Sequence, residues 1–417
     1  YHWRDGIGAR SQRPKMINTN WGNITEDNSF GTHEFLELCS LIGCEPYISG
    51  NVGSGSVEEM SKWIEYLNFD GMSPLSTLRN ENGRSKPWNV SFFGIGNESW
   101  GCGGNMTPEF YSDQFRRYST YARNYPNAKL KRIATGPNSG DYNWTEVLMK
   151  NVGNRMWGLS LHYYTIPSGS WGVKGSAIDF NEKEYFATMK QCMKMEELVT
   201  RHSTVMDKYD PEKKIALVVD EWGIWTDVEK GTNPAFLYQQ NSLRDALIAG
   251  INLNIFNNHA ERVKAANLAQ VVNVLQSIVL TRGNDILLTP TYHVFDMYKV
   301  HQDAKLLPIQ INSPDYVVGN EKLAAVNVSA SQDSLGTVHI SLVNMDANNS
   351  VTIRTALNNI NWKTVEGQIL TAAKFTDINS FENKNVVVPT AFKGAKKEGN
   401  DLVIVLPKLS VVMLELK

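Results

Sequence analysis

Two carboxylates stand where the chain pattern makes them expensive to place. The apolar run 90–96 passes directly into Asn97-Glu98-Ser99-Trp100 and a glycine-rich stretch, Gly101-Cys102-Gly103-Gly104, while the run 215–219 ends in Asp220-Glu221-Trp222. A carboxylate at the end of a buried strand loses hydration, which costs free energy unless the group is hydrogen-bonded or reacting. Capping of the next helix is the plain alternative. Two such positions in one pattern, each with a tryptophan beside it, favour a working pair. Paired carboxylates about 5–5.5 Å apart suit a retaining glycosidase, one acting as nucleophile and the other as acid then base; about 6.5–9.5 Å suits an inverting one. Spacing along the chain leaves that distance open.

The elements that must position these groups read as βα units. Up to about residue 300, short apolar runs at 45–51, 90–96, 132–136, 158–163, 215–219 and 253–257 alternate with helical periodicity at 32–42, 57–67, 108–123, 144–151, 183–208, 236–249 and 268–281. That alternation argues for a parallel sheet flanked by helices. In a (β/α)₈ barrel the active site lies at the C-terminal ends of the strands, which is where Glu98 and Glu221 fall. Only six units are visible, so the sheet is either open or short of two units on its N-terminal side. After Pro308 the texture changes to short, alternating, β-branched runs at 322–330, 337–344, 350–356, 364–370, 385–391 and 402–416. This predicts an all-β sandwich, hence a barrel over 1–308 and a sandwich over 309–417.

Composition excludes several classes. The 417 residues carry 41 Lys+Arg against 43 Asp+Glu, with the two signs interspersed, so no basic stripe invites nucleic acid or an anionic membrane. No run approaches the roughly 20 apolar residues of a membrane helix. Four cysteines, Cys39, Cys44, Cys102 and Cys192, make neither a disulfide framework nor a zinc-ligand spacing. The compartment is not legible.

Further along, the motifs resemble a known family. Tyr1-His2-Trp3-Arg4-Asp5-Gly6-Ile7-Gly8, Asn20-Trp21, Thr25-Glu26-Asp27-Asn28-Ser29-Phe30-Gly31, Gly94-Ile95-Gly96-Asn97-Glu98, Asp220-Glu221-Trp222 and Ala266-Asn267-Leu268-Ala269-Gln270-Val271-Val272-Asn273-Val274 look like the α-L-arabinofuranosidases of glycoside hydrolase family 51. The resemblance runs in order along nearly the whole chain. It implies a (β/α)₈ TIM barrel followed by a C-terminal jelly-roll sandwich, and a retaining mechanism with Glu98 as general acid/base and Glu221 as nucleophile. It also implies that Tyr164 donates to the nucleophile, that His162 lies near the acid/base, and that Asn97 and Gln270 reach the sugar. Trp21, Trp225 and Trp100 are candidate stacking walls, since flat aromatic faces suit the apolar face of a sugar. A general acid of this kind needs a raised pKa, which burial and a neighbouring carboxylate would supply.

The implied activity is removal of terminal non-reducing α-L-arabinofuranosyl residues from hemicellulose or pectin oligosaccharides, with no metal or organic cofactor. The partner is then an arabinose-containing saccharide rather than nucleic acid or membrane, and a homo-oligomer is a family expectation. Full-length relatives begin before the Tyr-His-Trp element, with a first sandwich strand and two barrel strands, so the first two barrel strands are expected to be missing here. The residues leave two alternatives open: the same fold and mechanism acting on β-xylosides or β-glucans, and a non-catalytic carbohydrate binder or inactive fragment.

Overall fold

A computed structural model describes residues 1–358, 360 and 362–417. Its central element is a six-stranded sheet of β1 (Tyr47–Gly50), β2 (Phe92–Ile95), β3 (Lys131–Ala134), β4 (Gly158–Thr165), β5 (Ala216–Ile224) and β6 (Val263–Leu268), hydrogen-bonded in that order. The register is parallel, with Tyr47 opposite Phe92, Phe92 opposite Lys131 and Ile133 opposite Gly158. Sequential order with helical crossovers is the barrel pattern, and helices buried along one stripe explain it. Val57–Asn68 starts at a Ser56 side chain that accepts from Glu59 N–H and buries Met60, Trp63, Ile64 and Leu67. Pro108–Tyr121 begins on Thr107 with Pro in its first turn, where the missing N–H costs nothing.

Compactness divides the chain into two interleaved units, Tyr1–His162 with Thr200–Val219, and Tyr163–Val199 with Asp220–Lys417. The division runs through β4 and β5. The first unit holds β1–β3, the starts of β4 and β5, and a short hairpin, Met16–Asn18 with Ile24–Glu26. Arg13 is buried there, with its guanidinium on Glu34 at 2.9 Å.

The second unit holds the ends of β4 and β5, β6 and the all-β region. A six-stranded antiparallel sheet runs in the order Lys305–Leu306, Val326–Gln332, Val338–Asn344, Ser410–Leu416, Val365–Thr371, Thr390–Ala391, beside a three-stranded one of Val351–Ala356, Asp401–Leu406 and Ala395–Glu398. Strands Val338–Asn344 and Ser410–Leu416 are buried almost throughout, which is the β-branched, continuous pattern of a covered sheet. Together these features make a curled parallel barrel-type sheet and a C-terminal all-β domain.

Two sequence expectations fail locally. The run 253–257 is helical, part of Leu243–Asn258, whose residues are buried on nearly every side; a helix wet on no face shows no 3.6 period and reads as a buried strand. The sixth strand is instead Val263–Leu268. The helix expected over 268–281 is absent, its place taken by the end of β6, a loop and a hairpin of Val279–Arg282 with Asp285–Leu288. The run 183–208 forms two helices, Glu182–Cys192 and Lys194–Asp207. Among the described residues all four cysteines are free, and no helix is long and apolar enough to cross a membrane.

Candidate active site

In the first unit, the site is built at the exit of β2. Tyr111, from the helix that follows, donates to the Ile95 carbonyl at 2.5 Å and accepts from Thr135 N–H at 2.7 Å, pinning the end of the strand. The chain then turns through Gly96 at φ 90° and Glu98 at φ 43°. A non-glycine residue in the left-handed region is strained by about 1–3 kcal/mol and persists where surrounding bonds over-determine it. Those bonds are visible: the N–H groups of Gly101 and Gly103 both donate to the Glu98 carbonyl, at 2.8 and 3.0 Å. Gly103 approaches so closely that a Cβ would lie 1.8 Å from the Asn97 carbonyl oxygen, so the glycine-rich stretch is a clamp on the Asn-Glu turn.

The Glu98 carboxylate then faces two partners. His162 Nδ1 lies 3.0 Å from Oε1, and Cys102 Sγ donates to Oε2 at 3.4 Å. His162 is 3% exposed and Trp100 meets its ring edge-on at 6.4 Å while donating to the Gly136 carbonyl. Burial pushes the Glu98 pKa up, but the hydrogen bond and charge of His162, helped by Cys102, carry it below the ordinary carboxylate value. The raised pKa expected of a general acid is therefore not found, because the group beside Glu98 is a potential cation. Asn97 is exposed and helps to line an open cavity with Tyr1, Trp3, Asn51, Trp63 and Gly103.

In the second unit, β5 carries Glu221, half-buried, and Tyr164 on β4 donates to its Oε1 at 2.6 Å. The His162–Tyr164 spacing follows from strand geometry, since residues two apart share a face. Trp225 stands edge-on to Tyr164 with ring centroids 4.9 Å apart, while Trp222 is wholly buried against Phe256 and Phe295. Gln270 is exposed and follows β6 across a cis Ala269–Gln270 peptide; the helix start on which the sequence placed it does not exist. Trp21 lies in the turn of the short hairpin, 42% exposed, where its N–H donates to Asn18.

Comparison with known proteins decides the family. Residues 1–172 match the family described as the α-L-arabinofuranosidase 1 domain, and residues 220–410 match the α-L-arabinofuranosidase C-terminal domain. An intracellular exo-α-L-arabinofuranosidase of Bacteroides ovatus is 54% identical over 418 residues, covering 100% of this chain and 81% of that protein. The chain belongs to the family 51 α-L-arabinofuranosidases. The fold agrees: the crystal structure of the GH51 arabinofuranosidase from Xanthomonas axonopodis pv. citri superposes with a TM-score of 0.98 at 49% identity, covering 100% of this chain and 84% of that one. The Thermotoga maritima α-L-arabinofuranosidase, solved as an arabinose complex, gives 0.84 at 27% identity with the same coverage.

Within this family 51 frame, the structure brings Glu98, His162 and Trp100 together in one unit, and Glu221, Tyr164 and Trp225 in the other. Sequence reasoning passed over Cys102, although a thiol four residues after Glu98 in a glycine-rich turn is placed to return to it. It also passed over Trp171, which lies 5.1 Å from Trp225 in the loop after β4; a strand-end loop reading Ser-Gly-Ser-Trp-Gly was the available signal.

Proposed function

We propose that the chain is a retaining exo-α-L-arabinofuranosidase in which Glu221 is the nucleophile and Glu98 the general acid/base, within a barrel over 1–308 followed by a sandwich over 309–417. The observation that carries this reading is the full-length match at 54% identity to an exo-α-L-arabinofuranosidase, because both carboxylates and the partners expected of them stand in this chain with the right chemistry. Glu221 must be ionised to attack C1 of the sugar, and the Tyr164 hydroxyl can only donate to it at neutral pH. As the C1–O bond of Glu221 forms, the bond to the leaving oxygen breaks and that oxygen takes a proton from Glu98. Water then gives its proton back to Glu98, attacks C1 and releases Glu221.

Burial favours the neutral carboxyl that the acid must present, and the His162 hydrogen bond favours the carboxylate left once the proton has gone to the leaving oxygen. On this reading Asn97 and Gln270 hydrogen-bond sugar hydroxyls, Trp225 forms a wall, and Trp21 and Trp100 belong to the same proposal as candidate aromatic contacts. Arabinose-containing hemicellulose or pectin oligosaccharides and a homo-oligomeric assembly complete it. The xyloside, glucan and non-catalytic alternatives gain nothing from the family match.

The test is paired hydrolysis of p-nitrophenyl α-L-arabinofuranoside and p-nitrophenyl β-D-xylopyranoside, with NMR of the first-formed anomer. Arabinofuranoside turnover with retention is expected. Inversion, or faster release from the xyloside, would overturn the assignment.

A further inference from the structure

The aromatic contacts of the second unit continue past Trp225. Trp171 meets the Trp225 ring at 5.1 Å and 81°, and the Tyr164 ring at 6.4 Å and 78°, so an edge-to-face series leads from the hydroxyl that touches Glu221 out to a ring that is 56% exposed. An exposed tryptophan this size leaves a large apolar surface in water, which is unfavourable unless something covers it.

The loop that presents it is held on the C-terminal side of Trp171. The Asp227 carboxylate accepts from the N–H groups of Lys174 and Gly175, at 3.3 and 3.1 Å, and Asp227 N–H donates to the Gly175 carbonyl at 2.9 Å. Arg244, buried in an ion pair with Asp245 at 2.9 Å, donates to the carbonyls of Ser176 and Ala177. A platform already fixed by the fold loses little entropy when a ligand lands on it.

Lys174 adds charge to that platform. Its Nζ lies 5.8 Å from the Trp171 ring and 5.9 Å from the Trp225 ring, and donates to the Trp171 carbonyl at 3.1 Å. An ammonium has three donors, and Lys174 makes no ion pair among the described residues; the nearby Asp227 carboxylate is committed to backbone N–H groups. We propose that Trp171 and Lys174 form a binding site for the substrate beyond the arabinofuranosyl unit, and that this site takes a uronic acid sugar, its ring face on Trp171 and its carboxylate on Lys174. The proposal rests on the arabinofuranosidase reading and names the substrate class that reading leaves open.

The probes are an arabinofuranosyl–glucuronic acid disaccharide and its methyl ester, which has the same outline without the charge. Calorimetric titration of the Glu221→Gln chain at low salt reads binding without turnover. The acid should bind about threefold more tightly than the ester, as expected for an exposed ion pair, and the difference should shrink as salt is added. Lys174→Gln should bring acid and ester to equal affinity, and Lys174→Arg should keep the preference. Trp171→Ala should weaken both ligands about tenfold, with Trp171→Phe intermediate. Equal affinity of acid and ester in the parent chain, or a preference that survives Lys174→Gln, would overturn the proposal. Failure of the arabinofuranosidase reading shows separately, as absent turnover of p-nitrophenyl α-L-arabinofuranoside by the chain with Glu221 intact.

Discussion

The two glutamates sit in opposite kinds of surroundings. Glu98 lies on a strained turn, held by backbone N–H groups on its own carbonyl, and its carboxylate meets a histidine and a thiol. Glu221 lies within a regular strand and accepts from a phenol in an aromatic wall. The difference matches the work proposed for each. A group that gives and takes a proton needs a neighbour whose own charge can change, whereas a nucleophile needs a donor that stays a donor across the working pH range. What separates acid from nucleophile is thus less the carboxylate than the chemical type of its nearest partner, an imidazole beside Glu98 and a phenol beside Glu221.

That contrast can be broken at four points. Replacing Glu221→Ala removes the nucleophile and should cut kcat by roughly 10⁴-fold or more, read by p-nitrophenol release; near-normal turnover would end the assignment. Glu98→Ala should cost about 10²–10⁴-fold on substrates with poor leaving groups, much less with p-nitrophenolate, and added azide should restore rate by replacing water as the second nucleophile. Tyr164→Phe deletes one hydrogen bond to a charged oxygen, worth about 1.5–3 kcal/mol, so kcat/KM should fall by about 10–100-fold while the alkaline limb of the pH profile stays in place. His162→Gln should produce the smallest loss near neutrality but move that limb. With His162 no longer lowering it, burial acts on Glu98 against the Cys102 hydrogen bond only and its pKa rises, so the acid stays protonated further and the limb shifts to higher pH. A shift on Tyr164→Phe and none on His162→Gln would reverse the comparison.

Much of this was legible because strands ending in charge are conspicuous. The runs leading to Asn97-Glu98 and Asp220-Glu221 stand out from their surroundings, and the helix expected over 32–42 is found over Thr32–Ile42, where buried Leu36 and Cys39 alternate with exposed positions and Gly43 at φ 71° ends it. Reading failed where solvent leaves no imprint. Helix Leu243–Asn258 is covered on nearly all sides and so mimics a strand, and the apolar residues after Gln270 form a loop and a hairpin rather than a helix face. Helices Pro74–Glu81 and Pro290–Tyr298 were missed although each carries proline in its first turn. Cys102 and Trp171 lie in loops, where no periodicity says which way a side chain faces, and only three-dimensional contacts single them out.

The interleaving of the two units has a consequence for how the protein is made. Because the chain leaves the first unit at His162 and returns to it only over Thr200–Val219, a ribosome must extend past Val219 before that unit has all its parts, by which time 163–199 is already waiting for partners still unsynthesised. Neither half is one continuous stretch of chain, and no single scission of the polypeptide can liberate either half intact.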